Sequence, residues 1–142
     1  MRKISSARLR TLLLAFVVFG LSACSDPFLY FSGGQLSGEE APLLELPTQS
    51  GVLQIETLPA DPYSVNIGFV LLDGKLYIDP AEDRQWYQNI LVEPTVRIRF
   101  SGSDLVHPML TVRETDPATL AQFDPQRIIL KLEPVNALEA HE

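Results

Sequence analysis

Ser64-Val65-Asn66-Ile67-Gly68-Phe69-Val70-Leu71-Leu72-Asp73-Gly74-Lys75-Leu76-Tyr77-Ile78-Asp79 is the stretch that decides the fold class. Val65, Ile67, Phe69 and Leu71 recur at every second position, which in a strand puts all four side chains on one face. Asp73-Gly74 then separates this run from Lys75–Asp79. An Asp-Gly pair between two apolar runs favours a type I′ turn, because both residues tolerate positive φ. The stretch therefore predicts a β-hairpin.

Working outward, Gly51–Leu58 is a β-rich run on the N-terminal side. Downstream, Asp79-Pro80-Ala81-Glu82 predicts a helix start. Asp79 would cap free amides, Pro80 suits the first helical position and Glu82 completes a capping box. That helix is expected to run to about Leu91, since Pro94 discourages continuation. Thr95–Ser101 alternates again, with Val96, Ile98 and Phe100 opposite Thr95, Arg97 and Arg99. Met109–Glu114 and Gln126–Glu133 are further strand expectations, and Asp116-Pro117 predicts a short helical turn. The fold class is thus mainly β (α+β), a small split or incomplete barrel with one or two short helices.

The N-terminal region has a different chemistry. Arg2, Lys3, Arg8 and Arg10 precede an apolar run over residues 11–20. A basic stretch followed by a short apolar one makes a secretory signal peptide, and spanning a bilayer takes about 20 apolar residues. Leu21-Ser22-Ala23-Cys24 follows and resembles the bacterial lipobox. The resemblance implies cleavage before Cys24 and a diacylglycerol in thioether linkage to its sulfur. Cys24 is the only cysteine of the chain. In an oxidising compartment it has no internal disulfide partner. In the lipoproteins it resembles, an Asp directly after the cysteine favours inner-membrane retention, so by that resemblance Ser25 implies the outer membrane facing the periplasm.

The expected organisation is a signal peptide (1–23), a lipidated cysteine and tether (24–50), a β-rich domain (51–136) and a polar tail (137–142). Gly33-Gly34, Gly38, Pro42 and Pro47 mark the tether. Its apolar stretch Phe28-Leu29-Tyr30-Phe31 suits either the domain surface or the lipid interface. Cleavage leaves 119 residues carrying seven basic and 18 acidic side chains, a formal charge of −11. Such a surface argues against nucleic acid and against insertion among anionic lipids. Solubility accounts for the charge more simply than a dedicated cationic partner does.

The stretch from Tyr63 to Phe100 resembles the flavin-binding split-barrel superfamily, which includes pyridoxamine-phosphate-oxidase-like and deazaflavin-dependent nitroreductase-like proteins. The resembling pieces are the hairpin ending Asp73-Gly74-Lys75-Leu76-Tyr77-Ile78, then Arg84-Gln85-Trp86-Tyr87-Gln88-Asn89-Ile90-Leu91, then Glu93-Pro94-Thr95-Val96-Arg97-Ile98-Arg99. Glu93 stands where the family carries Asn before Pro94. The resemblance implies the fold and, in the family, an FMN or deazaflavin held through its phosphate. The Gly-Arg-Lys-x-Gly-like phosphate segment is absent here, and Leu58–Ser64 offers no cation. The fold is carried over and no cofactor is expected; a flavin or deazaflavin is the alternative.

Two constellations remain as candidate ligand-binding residues. Arg97 and Arg99 on one strand face could clamp a phosphate or carboxylate, or pair with cross-strand acids. Arg84 with Trp86 and Tyr87 could stack a planar ligand, or the aromatics could belong to the core. His107 near Asp104 makes neither a triad nor a metal site, and His141 lies in the polar tail. Gly-x-Ser-x-Gly, His-Glu-x-x-His and cysteine clusters are missing from the sequence. Asp79, Glu82 and Asp83 do not match an EF-hand loop. No catalytic or metal-binding residues are assigned. The expected role is a non-catalytic binding or envelope-accessory lipoprotein, attached to the membrane by lipid and open to an envelope protein partner.

Overall fold

The computed structural model describes residues 32–41 and 43–135. The signal peptide, Cys24, Phe28–Phe31 and the tail with His141 lie outside the described residues. The elements in chain order are β1 (Ser32–Gly33), β2 (Glu39–Glu40), β3 (Gly51–Thr57), β4 (Tyr63–Leu72) and β5 (Lys75–Ile78). Then come α1 (Gln85–Val92), β6 (Thr95–Phe100), β7 (Leu105–Arg113), α2 (Pro117–Leu120) and β8 (Leu130–Pro134).

Six of the strands close on themselves. Antiparallel pairing runs from β4 to β3, β6, β7, β8 and β5, and β5 pairs back onto β4. The predicted hairpin is the β4–β5 corner of this ring. Leu72 faces Lys75, and Asp73 (φ 50°) and Gly74 (φ 72°) supply the two positive dihedrals of a type I′ turn. Alternation fills the interior. Leu53, Ile55, Phe69, Leu76, Ile78, Val96, Ile98, Phe100, Met109, Leu130 and Leu132 form the core, with Val65, Ile67 and Leu71 packed against it. Each fully buried aliphatic side chain contributes roughly 1.5–3 kcal/mol.

The register defines two ends. β3 finishes, β4 begins and β6 begins at one, where α1 enters the barrel with Trp86, Tyr87 and Ile90 in the core. At the other, β3 and β7 begin and β6 finishes; the loop between Ala41 and Gly51 lies there and Leu44 packs on the core. We call these the helix end and the loop end.

Three expectations are corrected. Asp79 does not start α1: its N-cap is Arg84, without a side-chain cap bond. Pro80 is buried, an Arg84 amide to Ala81 carbonyl bond (3.1 Å) closes a separate turn, and Arg127 holds both the carbonyl (2.6 Å) and carboxylate (3.3 Å) of Asp79. The strand expected over Met109–Glu114 begins earlier, because β7 extends back through His107 and Pro108 to Leu105. Pro108 is tolerated because it lies between the reach of β2, which stops at Val106, and of β8, which starts at Met109. The last strand begins at Leu130 rather than Gln126. Asp116 does cap α2, accepting from the Thr119 amide at 2.9 Å.

Residues 32–41 lie on the barrel as a strap. Ser32 and Gly33 pair with Val65 and Ser64 of β4, and Glu39 and Glu40 run parallel to Leu105 and Val106 of β7. Between these points the chain crosses the outer face of β3 and β6, and Leu36 and Ala41 are buried. The Ala41 amide finishes the crossing on the Val106 carbonyl at 2.9 Å. Gly38 is required in this path. Its φ is 149°, and a Cβ there would stand 2.3 Å from the Asp104 carbonyl oxygen and 2.8 Å from Val106 Cγ2. Gly38→Ala is therefore expected to destabilise the chain by about 1–3 kcal/mol, the usual cost of such a strained position. Urea denaturation checks this, and an unchanged midpoint would contradict the placement of the strap.

Candidate functional site

Alternation that sends Ile55 and Ile98 inward sends Gln54, Glu56, Arg97 and Arg99 outward, onto the face that the strap crosses. Register then pairs them. Gln54 stands opposite Arg99 and Glu56 opposite Arg97. Arg97 Nη1 donates to both carboxylate oxygens of Glu56 at 3.1 Å, and the carboxylate also accepts the backbone N–H of Leu36. The Glu56 side chain is only 2% exposed, against 21% for that of Arg97. A carboxylate so far from water carries a penalty of several kcal/mol unless paired and hydrogen-bonded, and here it is both. Arg99 grips Gln54 Oε1 through Nε (2.8 Å) and Nη2, and donates from Nη1 to the Ser37 carbonyl at 2.6 Å. Both guanidiniums thus act on the chain's own groups; Arg99 holds the strap directly at the Ser37 carbonyl, and Arg97 does so through Glu56, which accepts the Leu36 amide.

A second chain of bonds ties the β3–β4 corner to α1. Gln85 Nε2 donates to Asn89 Oδ1 (2.8 Å), Asn89 Nδ2 to Thr57 Oγ1 (2.9 Å), and that hydroxyl to the Tyr63 carbonyl (3.2 Å). Asn89 and Thr57 are buried, so this amide fixes the helix on the β3–β4 corner. Trp86 and Tyr87 point into the core at the helix end, whereas Arg84 is exposed before the first turn. The fold therefore brings Arg97 and Arg99 together and leaves Arg84 apart from its two aromatic neighbours.

Two buried ring groups lie elsewhere on the barrel. Tyr77 is on the outer face of β5, under the Phe123 ring at 5.5 Å. Burial and then the Glu114 carboxylate push its phenol above the ordinary range. Amides of Asp116 and Thr115 hold Glu114 itself low. His107, facing Ile98 across the ladder at the loop end, is 4% exposed and packs at 5.8 Å from the Phe100 ring. Its Nδ1 has no hydrogen-bond partner among the described residues. Burial lowers its pKa, and the Glu45 carboxylate on the covering loop offsets part of that. Neither group forms a dyad with a nucleophile. Among the described residues there is no cluster of three or more His, Cys, Asp or Glu side chains able to hold a metal ion.

The sequence alone leaves Glu56, Gln54, Asn89 and His107 unassigned. Glu56 and Gln54 share one parity on β3, which is the available signal, but their partners lie over forty residues away. Only the pairing of β3 with β6 makes them neighbours.

Among solved structures, the chain is similar to a pyridoxamine 5'-phosphate oxidase-like protein from Listeria innocua. The TM-score is 0.50 with 16% identity, over 59% of this chain and 83% of that one. The fold is a split barrel. A NimC/NimA family protein from Clostridium acetobutylicum also superposes, with TM-score 0.43, 15% identity, and coverage of 58% and 73%. No protein-family model and no curated protein matches the sequence. At these identities the likeness concerns the split-barrel fold alone.

A flavin phosphate would require cations, and among the described residues Lys75, Arg84 and Arg113 are exposed. Arg97 and Arg99 are engaged with the chain's own groups, and Lys131 and Arg127 pair with Glu133 and Asp79.

The histidine makes the stability depend on pH. Its lowered folded pKa means that the unfolded chain binds the extra proton first as pH falls below about 6.5. Stability is then full above that value, declines as pH drops toward the folded pKa, and levels off below it. His107→Gln should flatten this acid-side slope in urea midpoints measured between neutral and mildly acidic pH. A slope that persists in the variant would assign the dependence to other groups.

Proposed function

We propose that the mature chain is a lipid-anchored lipoprotein on the periplasmic face of the outer membrane, and that its split barrel is a non-catalytic binding or envelope-accessory module. The observation that carries this reading is the use made of Arg97 and Arg99. On a chain of this fold they are the paired cations best suited to an anion, yet they grip Glu56, Gln54 and the Ser37 carbonyl. The cationic face serves to fasten the N-terminal strap, the segment that leads back to Cys24. The anchor itself rests on Leu21-Ser22-Ala23-Cys24 and the basic–apolar leader before it.

The alternative is a flavin- or deazaflavin-binding oxidoreductase or cofactor carrier, favoured by the split-barrel fold. It must hold a phosphate with the exposed Arg84, Lys75 or Arg113, or free a guanidinium from the strap. Fluorescence titration of the protein purified from membranes with FMN and with a deazaflavin distinguishes the two. The accessory reading expects no saturation at micromolar concentrations. Saturable binding there, abolished by changing Arg97 or Arg99, would replace it with the cofactor reading.

A further inference from the structure

The segment over residues 43–50 covers the loop end of the barrel, with Leu44 on the core and the Glu45 carboxylate within reach of His107. We propose that this segment is an acid-operated lid, shut over a neutral His107 and released when the imidazole takes up a proton. The device depends neither on the anchor at Cys24 nor on the accessory role.

The ladder places the ring. His107 stands opposite Ile98, and residues paired across a ladder share a face, so the imidazole points into the barrel with Ile98 and Phe100. It is buried, and its Nδ1 has no hydrogen-bond partner among the described residues. A neutral imidazole tolerates this with its proton on Nε2, which leaves Nδ1 a bare acceptor. An imidazolium carries an N–H at both nitrogens and a full charge, and is strongly disfavoured while that edge stays dry and unpaired. Water must reach Nδ1, and the cover is the part that can yield. β6 and β7 are held in ladders on both sides. Among the described residues, no backbone hydrogen bond joins 43–50 to the barrel. The segment is held by Leu44 on the core and by Ser50, whose Oγ accepts the Leu71 amide at 3.0 Å. Leu43 and Glu45 already face water.

Little charge is available to hold the proton in the closed state. β3 presents Leu53 and β4 presents Phe69 and Leu71 to the interior. Arg97 and Arg99 of β6 lie on the outer face, under the strap. Asp104 before β7, Asp73 and Lys75 at the β4–β5 turn, and Glu39 and Glu40 on the strap are all exposed. Among the described residues only Glu45, on the lid itself, acts on the imidazole, and it raises the pKa by less than burial lowers it. The closed histidine therefore titrates below the ordinary value of about 6.5, and the water-exposed histidine of the open lid titrates near it. Opening is least favourable above that value, grows as pH falls toward the closed pKa, and levels off beneath it.

Amide exchange in the full chain tests the lid. The Leu71 amide reports on it through Ser50, and the Ile90 amide in α1 reports on the far end of the barrel. Going from neutral to mildly acidic pH, exchange at Leu71, corrected for its intrinsic rate, is expected to speed up several-fold more in the wild-type chain than in His107→Gln. Low concentrations of urea should leave exchange at Leu71 unchanged while accelerating it at Ile90, because lifting a lid exposes little surface. Glu45→Gln keeps the histidine and should enlarge the acid effect, since the closed imidazolium then loses its one carboxylate. Equal acid responses in wild type and His107→Gln would overturn the proposal. So would a urea slope at Leu71 matching that at Ile90, which would make the opening global, or an acid effect that Glu45→Gln does not enlarge.

Discussion

A carboxylate on the outside of a barrel has no reason to be dry, yet Glu56 is. Its burial is caused by the strap, whose Leu36 amide it accepts, and is made tolerable by Arg97 across the ladder. The dependence runs both ways. Without the strap the pair is an exposed cross-strand couple worth less than about 1 kcal/mol. With it, Glu56 becomes a low-dielectric contact, and losing either partner leaves a charge or an amide stranded at a cost of several kcal/mol. Arg99 repeats the arrangement one pleat along, joining Gln54 to the Ser37 carbonyl.

This explains why a short barrel carries so much polar structure on one face. The interior is ordinary for its class, a set of alternating aliphatic and aromatic side chains closed by α1 at one end and by Leu44 at the other. The outer face of β3 and β6 is where the chain departs from a plain β surface. There a segment with only two-residue strands is ordered by side chains as much as by ladder bonds. Gly38 permits the close approach to Asp104 that brings the segment onto β7. Residues 32–41 are consequently part of the barrel's architecture, held by Glu56, Arg99 and the Val106 carbonyl.

The sequence made the hairpin legible because the information is local. Asp73-Gly74 needs no distant partner to favour positive φ, and Val96, Ile98 and Phe100 show their common face by spacing alone. The start of α1 was misread for an equally physical reason. Asp79-Pro80-Ala81-Glu82 has capping chemistry, but Arg127 from a distant loop occupies Asp79 and the chain turns once more before the helix. The strap was illegible because Gly33-Gly34 and Gly38 have the composition of a tether, and their ordering depends on groups up to 62 residues away. Arg97 and Arg99 were visible as a pair; that they fasten the chain to itself became visible only with the pairing of β3 and β6.

Hydrogen exchange at the Leu36 amide tests this account most directly. A hydrogen bond to a charged acceptor contributes about 1.5–3 kcal/mol, so Glu56→Gln should speed exchange at Leu36 by roughly 10- to 100-fold beyond any change at the Ile98 amide in β6. Equal acceleration at Leu36 and Ile98, or none at Leu36, would show that the strap is held independently of the buried carboxylate.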